Sequence, residues 1–96
     1  MTIQFIRLEK SSNKNKRYDA YFIVNNKQKK ISFGSSQHDN YTIHKDKERR
    51  ERYRQRHKND LINVPTTPGA LSWHLLWGDS TNLSENINKY KSKFGI

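Results

Sequence analysis

Basic side chains recur at helical spacing in the middle of the chain. The run from Lys45 to Lys58 contains neither Gly nor Pro and is rich in residues that favour helices. At 100° per residue, some of its bases fall within about 60° of one another and form a row about three turns long. This basic row consists of Lys45, Arg49, Arg52 and Arg56. Because the planar fork of arginine donates two hydrogen bonds to two oxygens, the row predicts a phosphate-binding surface.

Further bases flank this row. Arg50 and Lys58 lie on the same predicted helix, and Lys29 and Lys30 lie on the strand before it. Because their positive charge also suits phosphates, all four are candidate nucleic-acid-binding residues. The strand lysines belong to a second candidate surface that comprises Lys14, Lys16, Arg17, Lys27, Lys29 and Lys30. Lysines on an edge strand also prevent strand-to-strand aggregation, and we favour that role slightly for the second surface. For the basic row, the alternatives are a solvated charged helix and a surface for an acidic protein.

Groups that could support catalysis are scattered along the chain. Six are of the types that bind Mg²⁺ or Zn²⁺, namely His38, Asp39, His44, Asp46, His57 and Asp60. Their spacing matches no recognised metal motif, and no phosphate-binding loop or nucleophile motif is present. His74 lies in an apolar segment and is expected to be a hydrogen-bonded core residue. We therefore predict a protein that is not an enzyme and uses no metal or cofactor, with a metal-dependent nuclease as a remote alternative.

The overall charge favours an anionic partner. The 96 residues include 19 Lys and Arg against 9 Asp and Glu, which gives a net charge of +10. The excess is +6 in residues 1–34, +3 in residues 35–60 and only +1 in residues 61–96. Such a field raises association rates with polyanions. Cysteine is absent, which excludes thiolate metal sites, and no apolar run is long enough for a membrane span, so we expect no membrane partner.

The elements that would position these residues begin with strands. Residues 3–8 are β-prone, and residues 18–24 alternate with the period of two that is typical of a strand. Asn25 and Asn26 tolerate positive φ and therefore suit a tight hairpin turn before a return strand at residues 27–33. We predict an antiparallel meander of about three strands within residues 1–34.

The basic helix is predicted over residues 43–58, beginning at Thr42 or His44. It has almost no apolar stripe, and a helix that is polar all round depends on ion pairs between successive turns. The expected pairs are Asp46 with Arg50 and Glu48 with Arg52.

The C-terminal third, residues 67–96, is predicted to be an apolar helical anchor. Thr67 begins a short buried helix, and Asp79 or Ser80 caps a last helix that ends at Gly95. The predicted core comprises Trp73, Leu76, Trp77, Leu83, Ile87, Phe94, Phe22, Ile31 and Phe33. The fold class is therefore α+β, with residues 1–96 in a single domain.

Several segments between residues 27 and 96 occur in a distinctive order. They are Lys29-Lys30-Ile31-Ser32-Phe33-Gly34, Tyr41-Thr42-Ile43-His44-Lys45-Asp46-Lys47-Glu48-Arg49-Arg50, Pro65-Thr66-Thr67-Pro68-Gly69 and Ser72-Trp73-His74-Leu75-Leu76-Trp77. In these segments the chain resembles a family of small basic proteins of nucleocytoplasmic large DNA viruses, including algal and amoebal giant viruses. The resemblance implies a virion component, found during infection in the host cytoplasm, viral factory or nucleus. It implies no activity and no catalytic residues.

Together these observations predict a non-enzymatic, virion-associated protein that binds nucleic acid, double-stranded DNA first, through phosphates with little sequence specificity. No small-molecule substrate is expected. The alternative is a minor capsid or cement protein that contacts acidic surfaces of capsid proteins. Exposed tyrosines, for which Tyr18, Tyr21 and Tyr41 are candidates, would fit that alternative.

Overall fold

The computed structural model describes residues 2–96 and confirms the α+β fold class. Its strands are β1 (Ile3–Lys10), β2 (Lys16–Val24) and β3 (Lys27–Ser35), which form one antiparallel sheet in that order. The turn between β2 and β3 is confirmed at Asn25 and Asn26, which take φ angles of 52° and 68°. Two successive positive φ angles give a turn whose twist matches that of the flanking strands.

A β-bulge in β1 decides which of its side chains reach the core. Phe5 pairs with Phe22, but the next paired residue is Arg7, which lies opposite Tyr21. The residue between Phe5 and Arg7 is unpaired, and the bulge changes the phase of the strand. Leu8 therefore packs against the core with Phe5, whereas Arg7 places its Cζ atom 4.1 Å from the ring centroid of Tyr21.

Five helical segments follow the sheet. They are α1 (Tyr41–His44), α2 (Lys47–His57), α3 (Pro68–Leu71), a π-helical turn (Ser72–Leu76) that continues α3, and α4 (Leu83–Phe94). Over residues 2–96, no helix is both long enough and apolar enough to span a bilayer.

The predicted helix over residues 43–58 is wrong at its N-terminal end. Lys45 has a φ angle of 58°, in the left-handed region, and its N–H donates to the Tyr41 carbonyl oxygen, which ends α1. Asp46 then caps α2, because its Oδ1 accepts hydrogen bonds from two first-turn N–H groups at 3.0 and 3.3 Å. Lys45 is therefore in the joint between two helices and does not continue the basic row.

The ends of the C-terminal helices are only partly as predicted. Thr67 caps α3, and Gly95 ends α4 with a φ angle of 65°, which confirms both positions. The cap of α4 is Asn82, so the prediction of Asp79 or Ser80 is wrong. The reason is a tight turn before the helix, in which the Ser80 N–H donates to a buried side-chain amide of α4 at 3.1 Å.

The core lies between one face of the sheet and the C-terminal helices. Its buried residues are Phe5, Ala20, Phe22, Ile31, Phe33, Leu71, Leu75, Leu76 and Tyr90. The predicted core residues that pack against this cluster while remaining partly exposed are Trp77, Leu83, Ile87 and Phe94. Trp73 does not belong to the cluster, so its assignment to the core is wrong. It lies on another side of the helical turn, where the Arg54 guanidinium carbon is 4.5 Å from its ring centroid.

Candidate nucleic-acid interface

The arginines of α2 fall into two sets with different surroundings. Arg50 donates from Nε to the Gly78 carbonyl oxygen and from Nη2 to Asp79 Oδ1, both at 2.7 Å. Arg54 donates from Nε to the Trp77 carbonyl oxygen at 3.1 Å. We name Arg50 and Arg54 the anchoring arginines, because they attach α2 to the C-terminal half of the chain.

Arg50 was predicted to bind nucleic acid, but its side chain has partners within the fold. Its side chain is only 16% exposed, and Glu51 pairs with it in addition to Asp79. The predicted ion pair between Asp46 and Arg50 is replaced by these contacts. An arginine with a carbonyl and two carboxylates as partners has few donors left for a phosphate.

A column of four aromatic rings completes the attachment of α2. Trp77 and Tyr53 stack with ring centroids 4.3 Å apart and an interplanar angle of 5°. His57 stacks on Tyr53 at 4.2 Å, and His44 lies 5.2 Å from Trp77. Burial, with Asp60 as a second cause, raises the pKa of Tyr53 to about 12, so its phenol stays neutral. The column therefore joins α1, α2 and the π-helical turn without an aliphatic stripe.

The second set of arginines lies on the side of α2 that borders a cleft. Arg49, Arg52 and Arg56 are exposed, and no residue from 2 to 96 accepts a hydrogen bond from their side chains or forms an ion pair with them. We name them the outer arginines. All three line a cleft of about 530 Å³. The other lining residues are Gly34, Ser35, His38, Asp39, Asn40, Tyr53, His57, Ser72, Leu76 and Trp77.

Gly34, near the end of β3, lies close to the π-helical turn. Its φ angle is 78°, and a Cβ atom at this position would lie 2.8 Å from Leu76 Cδ1. A side chain would therefore strain the backbone and force either the end of β3 or the Leu76 side chain to shift. The glycine thus keeps this part of the cleft wall in place.

Asn40 is one of the residues that line the cleft, and its side chain has a buried hydrogen-bond donor without a partner among residues 2–96. The residue is 3% exposed and caps α1, with Oδ1 accepting from the Thr42 N–H at 3.0 Å. Its Nδ2 atom is buried and has no partner among residues 2–96. A buried donor without a partner is unfavourable, and such exceptions are uncommon in folded proteins.

Comparison with known proteins places this region in a family. The model of a family of unknown function (DUF5754) matches residues 6–57, more than half of the chain. The chain belongs to this family. No curated protein and no solved structure matches it. The family description gives no function, so the viral origin implied by the resemblance stays a prediction.

The DUF5754 segment contains the sheet apart from the first three residues of β1, together with the loop after β3 and α2, and hence both sets of arginines. Four other predicted binding residues do not line the cleft. Lys29 and Lys30 are exposed on β3, Lys45 is exposed in the joint before α2, and Lys58 is exposed at its C-terminal end. Of the eight predicted binding residues, the structure therefore brings together only the outer arginines.

Histidines and carboxylates of this DUF5754 member are used in pairs and caps. Within residues 2–96, no three His, Asp or Glu side chains are grouped so that they could hold a metal ion. His57 Nδ1 pairs with Asp60 Oδ2 at 2.8 Å. His74 Nε2 is 2.8 Å from the Ile62 carbonyl oxygen, so it is hydrogen-bonded as predicted, and burial lowers its pKa.

Sequence reasoning identified Tyr53 as a possible anchor of this helix but missed the other residues that attach α2. The signal was present, because Arg50, Tyr53, Arg54 and His57 are spaced by three, one and three residues and share one helical face. A search for aliphatic residues does not find such a stripe. The unpaired Nδ2 atom of Asn40 had no sequence signal, since Asn is common in loops for many reasons.

Proposed function

We propose that the chain binds nucleic acid through phosphate contacts of the outer arginines, without catalysis and with little reading of sequence. One observation carries the proposal: α2 has two arginines whose side chains have partners and three outer arginines whose side chains have none among residues 2–96. Like charges separated by three and four residues destabilise a helix. A row of phosphates would remove that repulsion and supply acceptors for all three guanidinium groups.

The charge of the rest of the molecule supports an anionic partner. The net charge is +10, and the nearby carboxylates Glu51 and Asp79 are paired with Arg50. The outer arginines are therefore not neutralised by these acids. A positive surface of this kind attracts polyanions over distances of about 10 Å at moderate salt.

The contacts are expected to be with the backbone of the nucleic acid. Reading a base edge requires donors held in a fixed geometry, whereas phosphate contacts tolerate long and flexible side chains. The outer arginines are exposed and have no partner within residues 2–96 that would fix their guanidinium groups. Binding should therefore depend strongly on salt and weakly on sequence.

The test replaces all three outer arginines with Gln and measures binding to a fluorescent oligonucleotide at several salt concentrations. We expect the affinity to fall by roughly tenfold or more and the salt slope to decrease by about one for each phosphate that is no longer bound. Folding should change little, because exposed substitutions typically alter stability by less than about 0.5 kcal/mol.

A charge-matched comparison separates the cleft from the general field. The variant with Lys27, Lys29 and Lys30 changed to Gln has the same net charge of +7. It also tests the second candidate surface. If it weakens binding as much as the arginine variant does, the outer arginines are not the site. Failure of the parent chain to bind any oligonucleotide at about 50 mM salt would exclude the proposed function altogether.

The capsid alternative loses part of its basis in the structure. It depended on exposed tyrosines, but Tyr41 is buried at 6% exposure and Tyr21 is covered by Arg7. The virion setting itself comes from the resemblance described above, and fractionation of particles into shell and genome core would test it.

A further inference from the structure

We propose that the cleft takes one unpaired nucleotide, so that the partner is a single-stranded polynucleotide rather than a duplex. This inference rests on the proposed function and specifies its partner. It changes the expectation of double-stranded DNA, because the outer arginines do not stand on an open convex surface. They line a concave site together with residues of the loop after β3 and the π-helical turn.

The size of the cleft favours a single nucleotide. Its volume of about 530 Å³ lies within the range of roughly 300–1,000 Å³ that is usual for sites of small organic ligands. A duplex is about 20 Å wide and keeps its bases stacked inside, so it can touch only the rim of such a cleft. A nucleotide of a flexible single strand can enter, as bases do in proteins that act on unpaired strands.

The second argument is the buried donor of Asn40. A duplex phosphate at the rim does not explain a donor at a residue that is 3% exposed. Because Nδ2 itself is buried, an acceptor that enters the cleft reaches it only when a neighbouring side chain moves aside, and that contact would supply the partner that Nδ2 lacks among residues 2–96. Base carbonyl oxygens and phosphate oxygens are both suitable acceptors, and a nucleotide carries both.

The remaining lining fits the mixed character of a nucleotide. Leu76 and Trp77 are apolar, whereas Ser72 and the neutral phenol of Tyr53 are polar without charge. A base and its sugar present apolar faces and polar edges, and their phosphate would lie against the outer arginines. The lining therefore combines the outer arginines, which suit a phosphate, with mainly uncharged groups and one carboxylate, Asp39, which can accept from an amino group of a base or a hydroxyl of a sugar.

The experiment compares three probes on the unmodified protein. They are a fluorescent 12-nucleotide single strand of mixed sequence, the matching 12-base-pair duplex, and a nucleoside 5′-monophosphate used as competitor. We expect the single strand to bind at least about tenfold more tightly than the duplex at the same salt concentration. The monophosphate should displace the single strand at millimolar concentration, whereas inorganic phosphate at equal ionic strength should displace it less.

A matched pair of variants tests the donor. Asn40→Asp keeps an oxygen that can cap α1 but removes the N–H donor, and Asn82→Asp makes the same change at the cap of α4. Both variants lower the net charge by one. We expect Asn40→Asp to weaken single-strand binding about tenfold or more and Asn82→Asp to weaken it less than about twofold.

Each outcome decides one question. A duplex that binds as tightly as the single strand, or equal effects of the two Asp variants, would overturn the cleft proposal and leave phosphate binding intact. Absence of binding to both nucleic acids in the parent protein would overturn the proposed function itself. If Asn40→Asp fails to fold, the comparison of probes on the unmodified chain still decides between single strand and duplex.

Discussion

Two adjacent arginines show how strongly the surroundings of a residue determine its role. Arg49 and Arg50 are neighbours in sequence, but they are 100° apart around α2. Arg50 therefore reaches a carbonyl oxygen and a carboxylate of the C-terminal half, whereas Arg49 borders the cleft. The same residue type thus stabilises the fold at one position and remains available for a partner at the next.

Replacing each of these arginines with Gln should separate the two roles. We expect Arg50→Gln to lower the free energy of unfolding by about 1–3 kcal/mol, because the acceptors of a partly buried charged donor are left unpaired. Arg49→Gln should change it by less than about 0.5 kcal/mol and weaken oligonucleotide binding instead. Urea denaturation of both variants would measure the change in the free energy of unfolding, and a binding assay would measure the change in oligonucleotide affinity. Equal destabilisation by the two changes would contradict the assignment.

At the scale of elements, α2 is held by an unusual set of contacts. It has no buried residue, so packing of aliphatic side chains does not explain its position. Two kinds of contact explain its position instead. Tyr53 stacks on Trp77, and the anchoring arginines donate hydrogen bonds to the turn after Leu76. The cleft lies beside this attachment, so its shape depends on Trp77.

The two tryptophans should therefore differ in their effect on stability. We expect Trp77→Ala to cost about 3–5 kcal/mol, because it removes the stack that attaches α2 and a ring that packs on the core. Trp73→Ala should cost less than half as much, since its ring lies outside the core beneath Arg54. Thermal unfolding of both variants would show the order. A larger effect at Trp73 would mean that the contacts of Arg54 matter more than the aromatic column.

How far the sequence could predict these elements depends on the range of the contacts involved. The turn at Asn25 and Asn26 and the cap at Thr67 follow from local preferences, and both were predicted. The joint at Lys45 was missed because several good caps compete within a few residues, and only tertiary contacts select among them. The bulge in β1 likewise has no local signal, since it adjusts the strand to the core.

The candidate site was predictable only in part for the same reason. Helical periodicity placed Arg49, Arg52 and Arg56 on one side of α2, and the structure keeps them together. The stack of Tyr53 on Trp77 joins residues far apart in sequence, and no local pattern specifies such a contact. The cleft itself is formed by three separate segments, so it could not be seen before the chain was folded.

At the scale of the whole molecule, buried polar groups link stability to pH. Asp19 is 2% exposed, and hydrogen bonds from Ser32 and Ser11, with the N–H of Ser12, lower its pKa despite its burial. Burial lowers the pKa of His74 and, together with the charge of Arg49, that of His44. All three groups bind protons less readily in the folded state than in the unfolded state. Stability should therefore decrease as the pH falls.

The histidines determine where this decrease begins. Their unfolded pKa is 6.5, and their folded pKa is lower, so the stability present above pH 6.5 is lost as the pH falls through this interval. We expect the melting temperature to be lower at about pH 5.5 than at about pH 7.5, a range in which histidines are the side chains that ordinarily titrate.

His74→Gln, which can still donate to the Ile62 carbonyl oxygen, should make the melting temperature less dependent on pH. The contribution of Asp19 changes only below its ordinary pKa of 3.8, so Asp19→Asn should leave this interval unchanged. A melting temperature that rises on acidification would mean that relief of charge repulsion, or another group, outweighs the buried histidines.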